Sequence, residues 1–232
     1  MSMNDTLFQV AALVIPLVIA IVFHEVAHGW TARALGDPTA AQLGRLSLNP
    51  IKHVDPFGTI ILPGMLKLAG LPVFGWAKPV PVIKGRLRNP RRDMMIVAAA
   101  GPGSNLIMAL IGAVALGLVM RGYAGGAEPS MAVSFLVANL FNFILLNIFL
   151  ALFNLLPIPP FDGGHIVEGL LPAQAARKYA AMHSKALLIM ILLLVVLPWI
   201  APSLNVVAWL VVPPVEWLSD YYLKIAQAVA GN

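Results

Sequence analysis

The sequence predicts an all-α, polytopic membrane protein with a short β or re-entrant element between its first and second spans. Three observations carry this. Hydrophobic residues make up 59% of the 232 positions and charged residues only 11%, whereas soluble domains sit near about 45–50% and about 25%. Uncharged runs recur at Thr6–Phe23, Met94–Met120, Met131–Leu156 and Ala186–Val215. Between the first two runs lies a stretch, 37–92, broken by prolines and glycines. The mean hydropathy of +0.86 leaves no room for a sizeable soluble domain, so residues 1–232 read as one membrane-embedded domain.

The first run covers about 27 Å as a helix, nearly a bilayer core. It has no basic flank and no small-residue cleavage site, so it is expected to stay as a membrane helix. Pro16 is a candidate kink, and Gly36-Asp37-Pro38 a stop. Within 37–92, Arg45–Pro50 and Val80–Ile83 read as short strands or extended segments. Thr59–Gly70 reads as a short or re-entrant piece, and Leu71–Trp76 as a further apolar piece. Such backbone is tolerated at membrane depth only against protein or a watery cavity. Ala100-Gly-Pro-Gly-Ser-Asn105 predicts close helix approach at small residues and a kink or broken turn at Pro102. The third run ends in Asn154-Leu-Leu-Pro-Ile-Pro-Pro-Phe-Asp-Gly-Gly164, which cannot continue as a helix. Ala186–Val215 reads as one span and a shorter second one. The tail from Pro214 to Ala230 reads as an interfacial helix, with Trp199, Trp209, Trp217, Tyr221 and Tyr222 as anchors.

Ten of the fifteen Lys and Arg lie between Arg33 and Arg92, whereas the loop after the second span has only Arg121. The positive-inside rule puts the first and third loops in the cytoplasm and the N-terminus outside. The net charge of +5 is thus read as topology and lipid contact, with no nucleic-acid partner. Absence of cysteine excludes disulfides and thiolate metal sites.

His24-Glu25-Val26-Ala27-His28 supplies the chemistry. On a helix its histidines share one face and can hold one zinc, while Glu25 stays near enough to take a proton from a water there. A third ligand is needed, and Asp162, His165 and Glu168 are candidates. Asp162 lies at the Pro-rich break, at the depth of the two histidines, and can also cap the next helix. His165 and Glu168 read better as a helix start and a cytoplasmic polar face. Gly163-Gly164 leave room for a metal or substrate. Asn139 and Asn142 are expected to bond between helices, worth about 0.6 kcal/mol each. Asn147 and Asn154 share a face. His53 reads as a loop histidine bonded to Asp55, or as a secondary group that reaches the metal or substrate. His183 reads as an ordinary interfacial residue.

His24-Glu-Val-Ala-His28, Ala100-Gly-Pro102 with Asn105, and Asn154-Leu-Leu-Pro157-Ile-Pro159-Pro-Phe-Asp162-Gly163 resemble the site-2 protease family of intramembrane zinc metalloproteases. The chain is similar to small prokaryotic members without a PDZ domain, over a core from about Leu7 to Leu171, with C-terminal helices at about 172–232. The resemblance implies a three-helix catalytic core and one zinc held by His24, His28 and Asp162. It also implies Glu25 as general base and Asn154 near the scissile peptide or its oxyanion. The implied activity is hydrolysis of a peptide bond in or near a transmembrane segment of a membrane-protein substrate. A membrane zinc carrier is the rival class, but the spans offer mainly asparagines beyond this one site.

Overall fold

The computed structural model describes residues 3–70, 75–123 and 128–231. The expected apolar piece at 71–76 therefore falls mostly outside the described residues. α1 (Met3–Ala34) is followed by the short α2 (Thr39–Gln42) and α3 (Leu62–Leu68). The long α4 (Pro90–Arg121) and α5 (Met131–Asn154) come next, then α6 (Asp162–Leu170) and α7 (Ala173–Ala180). α8 (Ala186–Ile191), α9 (Leu197–Ile200), α10 (Val206–Leu210) and α11 (Val212–Ala230) complete the chain. Among the described residues, four helical stretches are long and apolar enough to cross a membrane: Asp5–Ala34, Pro90–Arg121, Met131–Asn154 and Ala173–Ile200. The last of these joins α7, α8 and α9 through a 3₁₀ turn at Ala181–Lys185 and a π turn at Leu192–Val196.

α1 is built as a membrane helix should be. Ala12, Pro16, Ala20, His24, His28 and Ala32 recur every four residues and are all buried. Large apolar side chains such as Leu7, Leu13, Ile15 and Phe23 face outward. Small residues inward let α4 and α5 approach, and apolar residues outward meet lipid. α1 runs through Pro16 as one helix. Proline has no N–H for the Ala12 carbonyl one turn back, and Asn142 Nδ2 of α5 donates to that carbonyl at 2.8 Å. Asn139 does not bridge helices; its Nδ2 donates to Phe135 in its own helix.

The core between α4 and α5 is made by Ala109, Ala113, Leu116, Ile144 and Ile148, and Ala226 of α11 belongs to it. Tyr222 Oη donates to the Leu106 carbonyl at 3.2 Å. The tail is thus docked along α4 and α5, rather than lying on the interface as its aromatic residues led one to expect. Its small Ala226 and Ala230 are buried, while Trp217 and Tyr221 stay exposed.

No strand forms among the described residues of 37–92. Pro81, within the expected strand, and Pro79, beside it, have no N–H to give to a ladder. On the remaining positions, Val80 N–H donates to Glu25 Oε2 at 2.8 Å and Ile83 N–H to Asp37 Oδ2 at 2.6 Å. Backbone that would join a ladder is used instead to tie the segment to the end of α1. Thr59–Gly70 is helical, as a π turn over Pro56–Ile61 that runs into α3.

α1 ends where the turn signal predicted. Gly36, at φ +112°, gives its N–H to Arg33, and Asp37 gives its own to Ala32, the paired pattern of a Schellman cap. The buried Asp37 carboxylate accepts from Thr39 N–H at 3.0 Å, from Thr39 Oγ1, and from Ile83 N–H. Burial pushes this carboxyl up. The three donors and the charge of Arg86 outweigh burial and hold it below the usual range. Stability from this group is therefore present above about pH 4, the value in the unfolded chain, and is lost as pH falls through the lowered folded value. Asp37→Ala is expected to cost about 2–3 kcal/mol and to flatten the acid limb of thermal unfolding in detergent.

Candidate metal centre

His24 and His28 stand one turn apart on the buried stripe of α1, and the Pro-rich turn after α5 brings Asp162 to them. His24 Nε2 lies 3.0 Å from His28 Nε2. Asp162 Oδ2 lies 3.2 Å from the first and 3.3 Å from the second. Asp162 is the first residue of α6 and makes no cap; Phe161 precedes it as N-cap without a side-chain bond. Its carboxylate points at the imidazoles instead.

The tautomers follow from the far side of each ring. Asn105 Nδ2 donates to the Ala20 carbonyl at 3.2 Å and to Asn147 Oδ1 at 2.7 Å. Asn147 Nδ2 donates in turn to Phe143. Asn105 Oδ1 is therefore the atom that meets His24 Nδ1, at 2.6 Å, and the ring must supply the proton. His28 Nδ1 meets the Val97 carbonyl at 2.7 Å and must do the same. Each ring then presents a bare lone pair at Nε2, and both face a carboxylate oxygen that is buried and has no hydrogen-bond partner.

Three acceptors with no shared proton repel one another, and a cation resolves this. The edge of a tetrahedron of zinc–nitrogen and zinc–oxygen bonds of about 2.0–2.1 Å is about 3.3 Å, close to all three separations. Two imidazoles and one carboxylate form the donor set of a catalytic zinc with one position left open. The residues present fit zinc. A carboxylate ligates a cation in its deprotonated form, the form in which Asp162 completes the set.

Glu25, between the two histidines, directs its carboxylate to Val80 N–H, so the extended segment 77–83 runs beside the centre. Asn154 is at the end of α5, with Nδ2 on the Leu150 carbonyl at 2.9 Å. His53 is buried, but its Nε2–H donates to the Ser47 carbonyl at 2.8 Å and not to Asp55. Asp55 is occupied by Gly58 N–H at 2.6 Å, as cap of the π turn. His53 is not among the three side chains that converge.

The small residues have specific reasons. A Cβ at Gly101 would collide with His28 Nε2 and lie 2.7 Å from His24 Cε1, so glycine there leaves space for the imidazoles as well as the helix. A Cβ at Gly163 would run into the Leu155 and Leu156 carbonyls. That glycine seats α6 on the end of α5, and its freedom is used against its own chain and not for a metal or substrate. In the sequence Asn105 stood out beside Ala100-Gly-Pro102 and Asn147 as sharing a face with Asn154, but no spacing marked their link to His24.

Asn105→Ala removes the acceptor that fixes the His24 tautomer. Zinc affinity is expected to fall roughly 10–100-fold, read by competition with a chromophoric chelator; an unchanged affinity would deny Asn105 this role.

Residues 12–197 match the model of peptidase family M50. The chain is 40% identical over 218 residues to the protein named "Putative zinc metalloprotease YwhC" of Bacillus subtilis, covering 94% of this chain and 91% of that one. It is 31% identical over 187 residues to "Putative zinc metalloprotease Rip2" of Mycolicibacterium smegmatis, covering 80% and 65%. It is likewise 31% identical over 198 residues to the Rip2 of Mycobacterium tuberculosis, covering 83% and 70%. No solved structure gives a significant match. With a His, His, Asp centre set among membrane-length helices and a family match across most of its length, the chain belongs to peptidase family M50, the site-2 protease family of zinc metalloproteases.

Proposed function

We propose that this zinc metalloprotease hydrolyses a peptide bond in or beside a transmembrane segment of a membrane-protein substrate. The observation that carries the reading is the convergence of His24, His28 and Asp162 at membrane depth, with Glu25 adjacent. When bound, a single catalytic zinc supplies a Lewis acid for the scissile carbonyl and lowers the pKa of a water towards about 7. His24 and His28 would hold it through Nε2, and Asp162 would complete the set through its carboxylate. Glu25 takes the proton from the water and returns it to the leaving amine. Val80 N–H holds the Glu25 carboxylate in place through Oε2.

Asn154 turns from the Leu150 carbonyl to the substrate and donates to the developing oxyanion. A substrate helix unwinds before cleavage, because its carbonyls are otherwise engaged within the helix. The concentration of Lys and Arg between Arg33 and Arg92 supports a centre in the cytoplasmic half of the membrane and an outside N-terminus.

Glu25→Gln is expected to keep its zinc and to lose cleavage of a transmembrane peptide by roughly 10²–10⁴-fold in detergent. Turnover at the wild-type rate would overturn the mechanism. His53→Ala is expected to match wild type in zinc content and turnover, since its Nε2 is committed to Ser47 and its ring stands apart from the three converging side chains. A drop in either would restore His53 as a secondary group of the site.

A further inference from the structure

α6 and the turn after α7 bring together three ligating side chains that the first centre does not use. His165 Nδ1, Glu168 Oε2 and His183 Nε2 lie within 4.8 Å of one another. His165 and Glu168 are three apart on α6 and share a face, and His183 comes from the 3₁₀ turn Ala181–Lys185. The two rings stack at 4.5 Å, 18° from parallel. His183 Nε2 is 3.3 Å and His165 Nδ1 3.8 Å from Glu168 Oε2. Both ring nitrogens are buried and neither has a hydrogen-bond partner.

Glu168 is only 8% exposed. Lys84 Nζ binds its other oxygen, Oε1, which balances the carboxylate and leaves Oε2 turned to the imidazoles. The ion pair with Lys84 does not account for two partnerless ring nitrogens aimed at one oxygen.

We propose that His165, Glu168 and His183 form a second divalent-cation site, of the zinc class, that fastens α6 to the start of the fourth apolar helix. Two imidazoles and a carboxylate suit zinc, and the (i, i+3) spacing of His165 and Glu168 puts both on one face of α6. The donors are spread wider than at the first centre, so binding draws the nitrogen edges of the stacked rings together. Because α6 begins at Asp162, an ion here stiffens the helix that delivers the third ligand of the first centre. The site shares no residue with that centre, so the two readings fail separately.

The test uses untagged full-length protein in detergent, stripped with chelator and re-equilibrated with zinc alone, with bound zinc measured by plasma spectrometry. Wild type is expected to hold two zinc ions. His24→Ala/His28→Ala and His165→Ala/His183→Ala are expected to hold one each, and the chain with all four changes none. Equal zinc in wild type and His165→Ala/His183→Ala would overturn the second site, whereas equal zinc in wild type and His24→Ala/His28→Ala would overturn the first. Lys84→Met in the His24→Ala/His28→Ala background removes a competing cation. It is expected to tighten the remaining site about tenfold, a gain that no misfolded variant shows; an unchanged or weaker affinity counts against the proposal.

Discussion

The structure depends on two imidazole lone pairs and one carboxylate oxygen held face to face out of water. Left to themselves these atoms repel, and their burial is costly. The arrangement persists because the far nitrogen of each ring is committed. His24 is pinned through Asn105 and His28 through Val97. The Pro-rich turn, with Gly163 seated against Leu155 and Leu156, leaves Asp162 at the first position of its helix. Metal binding and the folded arrangement are therefore one free-energy term.

The membrane sets how this support is built. Away from water each polar group needs a partner within the protein, and asparagine supplies both a donor and an acceptor in one side chain. Asn147, Asn105 and His24 form a continuous relay from the backbone of α5 to the centre on α1. No charge is spent on it. Charged support would have to be desolvated, whereas amides bring only dipoles and still fix which nitrogen carries the proton.

Much of this was legible in the chain. The long uncharged runs set the spans, and His24, Glu25 and His28 on a helix set one face of the centre. Asp162 followed from a break that proline imposes on any helix. Other parts depended on relations that spacing does not encode. Val80–Ile83 has β-branched residues that favour a strand, but Pro79 and Pro81 lack donors, and Glu25 and Asp37 take those of Val80 and Ile83. Aromatic residues in the tail looked like interface anchors, while the contacts that dock it are made by Ala226 and by Tyr222 with Leu106. His183 joins His165 and Glu168 only through the turn after α7, so nothing local marked it.

Pro16 and Asn142 have a consequence of a different kind. The proline leaves the Ala12 carbonyl without its helical donor, and the asparagine supplies one from a distant part of the chain. With an N–H-bearing residue at position 16, Asn142 becomes dispensable. With proline there, losing Asn142 strands a carbonyl among apolar side chains. The order of change at these positions therefore matters to an evolving sequence: replacement of the proline first opens a neutral route, and replacement of the asparagine first passes through a weakened protein.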